Sequence, residues 1–293
     1  MLLCEYTFAP GQESDRSSLR DEVEGLLGAL RNNGQIWGEE VLGLVDGALK
    51  VWLNVPRADA LSEEHSNESV REALHEVEAL CAKTPTWNVV DDRADLARKE
   101  TWQDSDRLFL FTHLLDKTSP VCDGSTGRPV PSYLLPVSSE TRWELERWAE
   151  TYRTLDEIQM GCGPLEVMAY RQLAESDSDQ SERGRSLCKA LEEATGKPTF
   201  YYLMRHWGHL EGESARPCPG CGQAWARPAS VGGKGIAWFD FRCDSCRLVS
   251  HMATSFDSEA LAAIGEWCSR RAAAKNGGSL SSPAGSPPLR ADR

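Results

Sequence analysis

Two cysteine pairs, Cys218-Pro219-Gly220-Cys221 and Cys243-Asp244-Ser245-Cys246, stand 21 residues apart in this chain of 293 residues. Paired thiolates at this spacing form two knuckles that can meet one tetrahedral ion. A shell of four cysteines leaves no position for water or substrate, so such a zinc ion is structural rather than catalytic. Pro219 and Gly220 suit the first tight turn, and Gly222 lets backbone amides point at the sulfurs. The gap is slightly longer than the usual spacing of about 15 to 20 residues, which a hairpin loop tolerates. The expectation is one structural Zn2+ held by Cys218, Cys221, Cys243 and Cys246 in a zinc ribbon.

Other chemistry-bearing residues are less organised. His206, His209 and His251 flank the ribbon, but four cysteines already complete a tetrahedral shell and leave them polar roles. Cys122 is followed by Asp123-Gly124-Ser125, with a serine where a further knuckle needs a thiolate, so it reads as a buried or inert thiol. Cys4, Cys81, Cys188 and Cys268 fall among apolar residues and are expected in the core. Gly161-Cys162-Gly163 could hold a nucleophile in a tight loop, with Glu166 or a histidine as base. The alternative is a helix break, with Pro164 opening the next helix and Cys162 filling the corner between the two. No P-loop, GxGxxG, HExxH or GxSxG pattern occurs, so the expectation is a protein without catalysis or an evident small-molecule substrate.

Around the second cysteine pair, Arg227, Lys234, Arg242 and Arg247 alternate with Trp225, Trp238, Phe239 and Phe241. Aromatic rings beside basic side chains can stack bases and pair phosphates, which makes these eight residues candidate contacts for nucleic acid or a partner. The same pattern also fits a ribbon buried against the rest of the protein.

The formal charge of -13 is unevenly spread. Residues 1–197 carry 21 basic against 37 acidic side chains, and residues 198–275 carry 9 against 7. The acidic part is a poor surface for phosphate backbones and a better one for a basic protein. No run approaches the roughly 18 apolar residues of a spanning helix, and MLLCEYTFAP lacks signal-peptide features. The ten cysteines include two CxxC pairs, which favours a metal site in a reducing compartment over a secreted disulfide framework. A cytoplasmic location without membrane contact is expected.

These side chains must be positioned by an α+β chain. Leu2–Phe8 alternates as a strand, and Leu19, Val23, Leu26, Leu27 and Leu30 recur at helical spacing. Segments 40–45 and 48–55 meet at Asp46-Gly47, a hairpin signature. A helix bearing Val70, Leu74, Val77 and Leu80 and a β segment over 86–90 complete a ferredoxin-like β-α-β-β-α-β unit over 1–100. Residues 101–197 read as an irregular β region, with strands over 108–115 and 133–135 about a turn-rich stretch at 119–131, followed by a helical segment. Its helices are expected near 138–159, 164–175 and 181–194, the last stopping at Gly196. The ribbon and a closing helix over 258–274 occupy 198–274. The tail, 275–293, lacks apolar periodicity and is expected to be disordered.

YRTLDEIQMGCGPLEVMAYRQLAE, GRSLCKALEEATGKPTFYYL, CPGCGQAW and FRCDSCRLVS, with the start MLLCEYTF, resemble an uncharacterised bacterial family of zinc-ribbon-containing proteins for which nucleic-acid binding is a candidate function. The resemblance covers most of the chain up to about residue 256 and implies the same four cysteine ligands. PVCDGSTGRPVPSYLLP resembles a region where relatives can carry a further cysteine knuckle, from which Ser125 departs. The expected function is a non-catalytic interaction protein that docks nucleic acid or a nucleic-acid-handling protein. The alternative is an immunity-type protein whose acidic surface neutralises a basic toxin or enzyme.

Overall fold

The computed structural model describes residues 1–11, 16–90, 102–227 and 239–267. Its first unit runs β1 (Leu2–Phe8), α1 (Arg16–Asn33), β2 (Trp37–Val45), β3 (Ala48–Val55), α2 (Glu68–Leu80) and β4 (Thr86–Val89). The four strands form an antiparallel sheet in the order β2-β3-β1-β4. That is the β-α-β-β-α-β arrangement read from the sequence. Asp46 and Gly47 both adopt positive φ, 52° and 82°, as a two-residue turn between right-twisted strands requires. Alternate β1 residues Leu2, Cys4, Tyr6 and Phe8 point inward and meet Leu19, Val23, Leu26, Leu27 and Leu30 of α1. Asn67 caps α2 by accepting from the Val70 amide at 3.0 Å, and Val70 and Val77 close the core.

A second core is built on a five-stranded sheet. Its strands are β5 (Leu108–Leu110), β6 (Val121–Asp123), β7 (Thr199–Tyr202), β8 (Phe241–Cys243) and β9 (Leu248–Ser250), in the order β6-β5-β7-β9-β8. The central β5, β7 and β9 are parallel to one another, and the two edge strands are antiparallel. β5 precedes residue 197 and β7, β8 and β9 follow it, so the sheet crosses the boundary drawn there from sequence. Three helices cover it: α3 (Ser139–Met160), α4 (Glu166–Ala174) and α5 (Asp179–Thr195). Ser138 and Ser178 cap α3 and α5 from their hydroxyls. Gly196 ends α5 in the left-handed conformation at φ 68°. Trp148 and Tyr152 of α3 are buried over the sheet, and the Trp148 indole donates to the Gln180 carbonyl at 3.2 Å.

The two units are joined by specific contacts. Arg142 of α3 donates to the Asn33 side chain at 2.8 Å, and the Gly38 amide donates to the Lys117 carbonyl at 3.0 Å. Tyr133 leaves the second unit to sit in the core of the first, its ring 4.7 Å from that of His65.

Four expectations change. Residues 133–135 are not a strand: Ser132–Leu134 is a single 3-10 turn between Pro131 and Pro136. Neither proline can donate to a ladder, and the turn is what sends Tyr133 across the junction. The strand expected over 108–115 stops at Leu110, because the Leu114 amide is taken by Asp156 of α3 at 2.7 Å. Val121–Asp123, inside the turn-rich stretch, supplies the missing strand. The closing helix is reduced to α6 (Glu259–Ala262). The carbonyls of Ala262 and Ile264, which a continuing helix would use, accept from the buried Arg205 guanidinium at 2.7 and 3.1 Å. Gly265 then turns away at φ 77° so close to α4 that a Cβ would lie 2.3 Å from the Ala174 carbonyl oxygen. The expected tail and part of the closing helix lie outside the described residues. Among the described residues no helix is long and apolar enough to cross a membrane.

Candidate metal centre

The four cysteines of the two CxxC pairs converge. Their Sγ atoms all lie within 4.8 Å of one another, with Cys221 and Cys243 3.7 Å apart. The first pair follows a loop leaving β7, and the second spans the turn between β8 and β9. Trp225–Arg227 runs antiparallel to Asp240–Arg242, through Arg242 N to Trp225 O and Arg227 N to Asp240 O, both 2.8 Å. These are the two arms of the expected hairpin, whose tip falls outside the described residues.

Each knuckle closes in the same way. The Cys218 sulfur accepts from the amides of Gly220 and Cys221, and the Cys243 sulfur accepts from the Cys246 amide. The residue after each pair is left-handed, Gly222 at φ 76° and Arg247 at φ 54°. Glycine adopts this conformation freely, whereas arginine is strained in it. Gly220 is also fixed by space, since a Cβ there would meet the Cys246 sulfur at 2.8 Å.

Electrostatics explain why the set wants a cation. Burial pushes the Cys218 thiol up, and it pushes Cys246 up to about 12. For Cys243 burial acts in the same direction. Donation from the Ser245 hydroxyl at 3.2 Å, the Cys246 amide and the neighbouring thiols prevails and holds Cys243 lower, at about 7. Four thiols, two buried and two half-buried, cannot all ionise together without a counter-charge, and a metal ion supplies it while displacing the protons. The four cysteines could therefore hold a metal ion.

The described candidate contacts do not form an open platform. Trp225, Phe239 and Phe241 are 3 %, 2 % and 0 % exposed and belong to the same core as Cys218 and Cys243. The Trp225 indole donates to the Arg216 carbonyl at 3.0 Å, and the Arg216 guanidinium lies 4.7 Å from the Trp225 ring and 4.1 Å from the Phe241 ring. Burial lowers Arg216 to about 10, with Arg205 adding to the effect and Glu213 opposing it. Its Nε is 3.0 Å from Glu213 Oε1, an ionic contact without hydrogen-bond alignment. Arg216 carries no sequence signal, because only the tertiary structure brings it between those rings. Arg242 pairs with Asp244 at 3.1 Å and Arg247 with Glu192 at 2.8 Å, while Arg227 lies at the hairpin arm. Lys234 and Trp238 lie outside the described residues.

None of the three histidines joins the sulfurs. His206 meets Thr254, His209 meets Glu259 and Glu266, and His251 faces Asp240. Cys4, Cys122 and Cys188 are buried as expected; Cys81 is half-buried, and Cys268 lies outside the described residues. Burial raises Cys122 to about 12. Cys162 corrects the sequence reading: it is exposed at φ 49° and does not fill the corner between α3 and α4. Its thiol meets the Met160 carbonyl at 3.6 Å rather than a base. A second group, Asp59, Glu64 and His65, has ligand atoms equally close, but Arg57 already holds both Asp59 oxygens at 3.0 and 2.7 Å.

Three family models match along the chain. Domain of unknown function (DUF8589) covers residues 1–91, domain of unknown function (DUF2310) residues 102–204, and domain of unknown function (DUF8594) residues 208–256. Two solved structures overlap about the same share of the chain. One is a protein from Mycobacterium tuberculosis, 18% identical, covering 30% of this chain and 91% of its own at a TM-score of 0.26. The other is an antibiotic biosynthesis monooxygenase, 13% identical, covering 31% and 97% at 0.24. An uncharacterized protein of Haemophilus influenzae is 36% identical over 149 residues, covering 50% of this chain and 71% of the relative. Another from that organism is 33% identical over 243 residues, covering 80% of this chain and 91% of the relative, and the chain belongs to the family of that protein.

Proposed function

We propose that the chain is a non-catalytic interaction protein, built around one structural zinc ion in a C-terminal ribbon, whose acidic surface receives a basic protein partner. The observation that carries this reading is the burial of Cys218 and Cys243 in one core with Trp225, Phe239 and Phe241. A metal held there ties the ribbon to the five-stranded sheet instead of facing a substrate. The same burial removes the three described aromatics from the stacking role that a single-stranded nucleic-acid reader needs, and so favours protein over nucleic acid.

Zinc is supported by the donor set and its size. Four thiolates are soft ligands, and a Zn–S bond of about 2.3 Å gives a tetrahedral edge of about 3.8 Å. The Cys221–Cys243 separation of 3.7 Å matches that edge. A reducing, cytoplasmic setting fits nine described cysteines that are all free. The charge of residues 1–197 favours a cationic partner, either a nucleic-acid-handling protein or a toxin or enzyme neutralised by an immunity-type complex. Two measurements test the reading. Elemental analysis of protein purified without chelators should give one zinc per chain, and no metal would sink the assignment. Affinity purification with and without nuclease should retain a basic protein in both, and loss of every partner on nuclease treatment would restore the nucleic-acid reading.

A further inference from the structure

A cleft of about 630 Å³ opens where the first unit meets α3, far from the cysteines in the chain. That size is typical of small-ligand sites. Glu146, Glu150, Arg153 and Glu157 line it from one face of α3, at the spacing that stacks side chains along a helix. The opposite wall comes from the end of α1 and the start of β2, including Arg31 and Trp37.

Glu146 is the unusual member. It is 9 % exposed, and its one hydrogen bond among the described residues comes from the Ser132 hydroxyl to Oε1 at 3.3 Å. Its other oxygen is left for the cleft. The cations nearby are engaged elsewhere: Arg31 with Glu40 and the Gly38 carbonyl, and Arg153 with the Thr112 hydroxyl and the Thr118 carbonyl. Lys117 is exposed. Burial lifts the Glu146 carboxyl to about 7, and the opposing fields of Arg153 and Arg31 do not offset it. This is the condition of a buried carboxylate whose partner is missing. The carboxylates that line the cleft outnumber its cations by five to three, a balance that favours a cationic ligand.

We propose that this cleft binds an organic cation, an alkylammonium or guanidinium group, on Glu146, with the exposed Glu157 adding negative charge. The proposal depends neither on the metal nor on the partner inferred above. The group can belong to a free amine or to a lysine or arginine side chain of a protein.

The test is calorimetric titration of the full chain with agmatine, with N-acetylarginine N-methylamide and with glutarate. Saturable one-site binding of a guanidinium probe, weakened about tenfold or more in Glu146→Gln and less in Glu157→Gln, supports the site. Tighter binding of the blocked arginine assigns the natural cation to a protein side chain, and tighter binding of agmatine assigns it to a free amine. Three results overturn the proposal: no saturation by either cation, glutarate binding in their place, or cation binding unchanged in both variants. Glu157→Gln alters an exposed residue, so its readout stands even if Glu146→Gln were to disturb folding.

Discussion

Arg247 grips Glu192 through both arms of its guanidinium, Nε to Oε2 at 2.9 Å and Nη2 to Oε1 at 2.8 Å. The pair fastens the second knuckle to α5. Their mutual hydrogen bonds raise Arg247 and lower Glu192, against burial, which opposes the charged form of each. Both side chains are about one-third exposed, so the pair contributes little, roughly 0 to 1 kcal/mol. The backbone of Arg247, left-handed at φ 54°, costs about as much as the pair returns. Arg247→Gly should therefore be near wild type in urea unfolding, and Arg247→Ala less stable than Arg247→Gly by about 1 kcal/mol. The reverse order would mean that the left-handed conformation is not retained.

Cys243→Ser should lower the melting temperature and solubility far more than Cys162→Ser, since the first breaks the four-sulfur set and the second alters an exposed thiol. A strong chelator should shift wild type toward the Cys243→Ser value, with recovery on adding zinc. Equal melting of wild type and both variants would count against a structural metal.

Gly184 in α5 marks a close approach. A Cβ there would stand 2.3 Å from the Tyr201 ring and 2.8 Å from Trp148 Nε1. Gly184→Ala should cost about 1 to 3 kcal/mol by overpacking. Gly25→Ala, on the exposed side of α1 with nothing within 4 Å, should instead stabilise by about 0.5 to 1 kcal/mol through helix propensity. Thermal unfolding of the two variants checks the contrast.

Glu146 gives stability a pH dependence of defined sign. Its carboxyl is raised from 4.5 to about 7 by burial, with Glu150 adding and Arg153, Ser132 and Arg31 opposing. A raised group favours folding fully below the unfolded value and loses that contribution as pH climbs through the folded value. Relative to Glu146→Gln, wild type should therefore weaken between about pH 4.5 and 7, by a few kcal/mol at most. Urea unfolding of both proteins across that range measures the difference. A constant gap would show that Glu146 is not desolvated.

Nucleic-acid affinity of the isolated chain should be weak and fall steeply with salt, because residues 1–197 carry 21 basic against 37 acidic side chains. Tight, sequence-selective binding at physiological salt would overturn the protein-partner reading.

Local rules were enough for much of this protein. The Asp46-Gly47 turn, the apolar stripe of α1, the stop at Gly196 and the pairing of the four cysteines each depend on residues close in sequence, where backbone preference and side-chain period act directly. What the sequence left open was which face meets what. Trp225, Phe239 and Phe241 alternate with cations in a way that suits either an exposed platform or a buried edge. Only the five-stranded sheet, with Arg216 between two of the rings, puts them inside. The closing helix was cut short by Arg205, distant in the chain, taking the carbonyls of Ala262 and Ile264. Tyr133 was drawn out of a strand into the neighbouring core. Glu146 looks in the sequence like any helical carboxylate, and it became a desolvated one because the first unit docks over α3 and takes its water away.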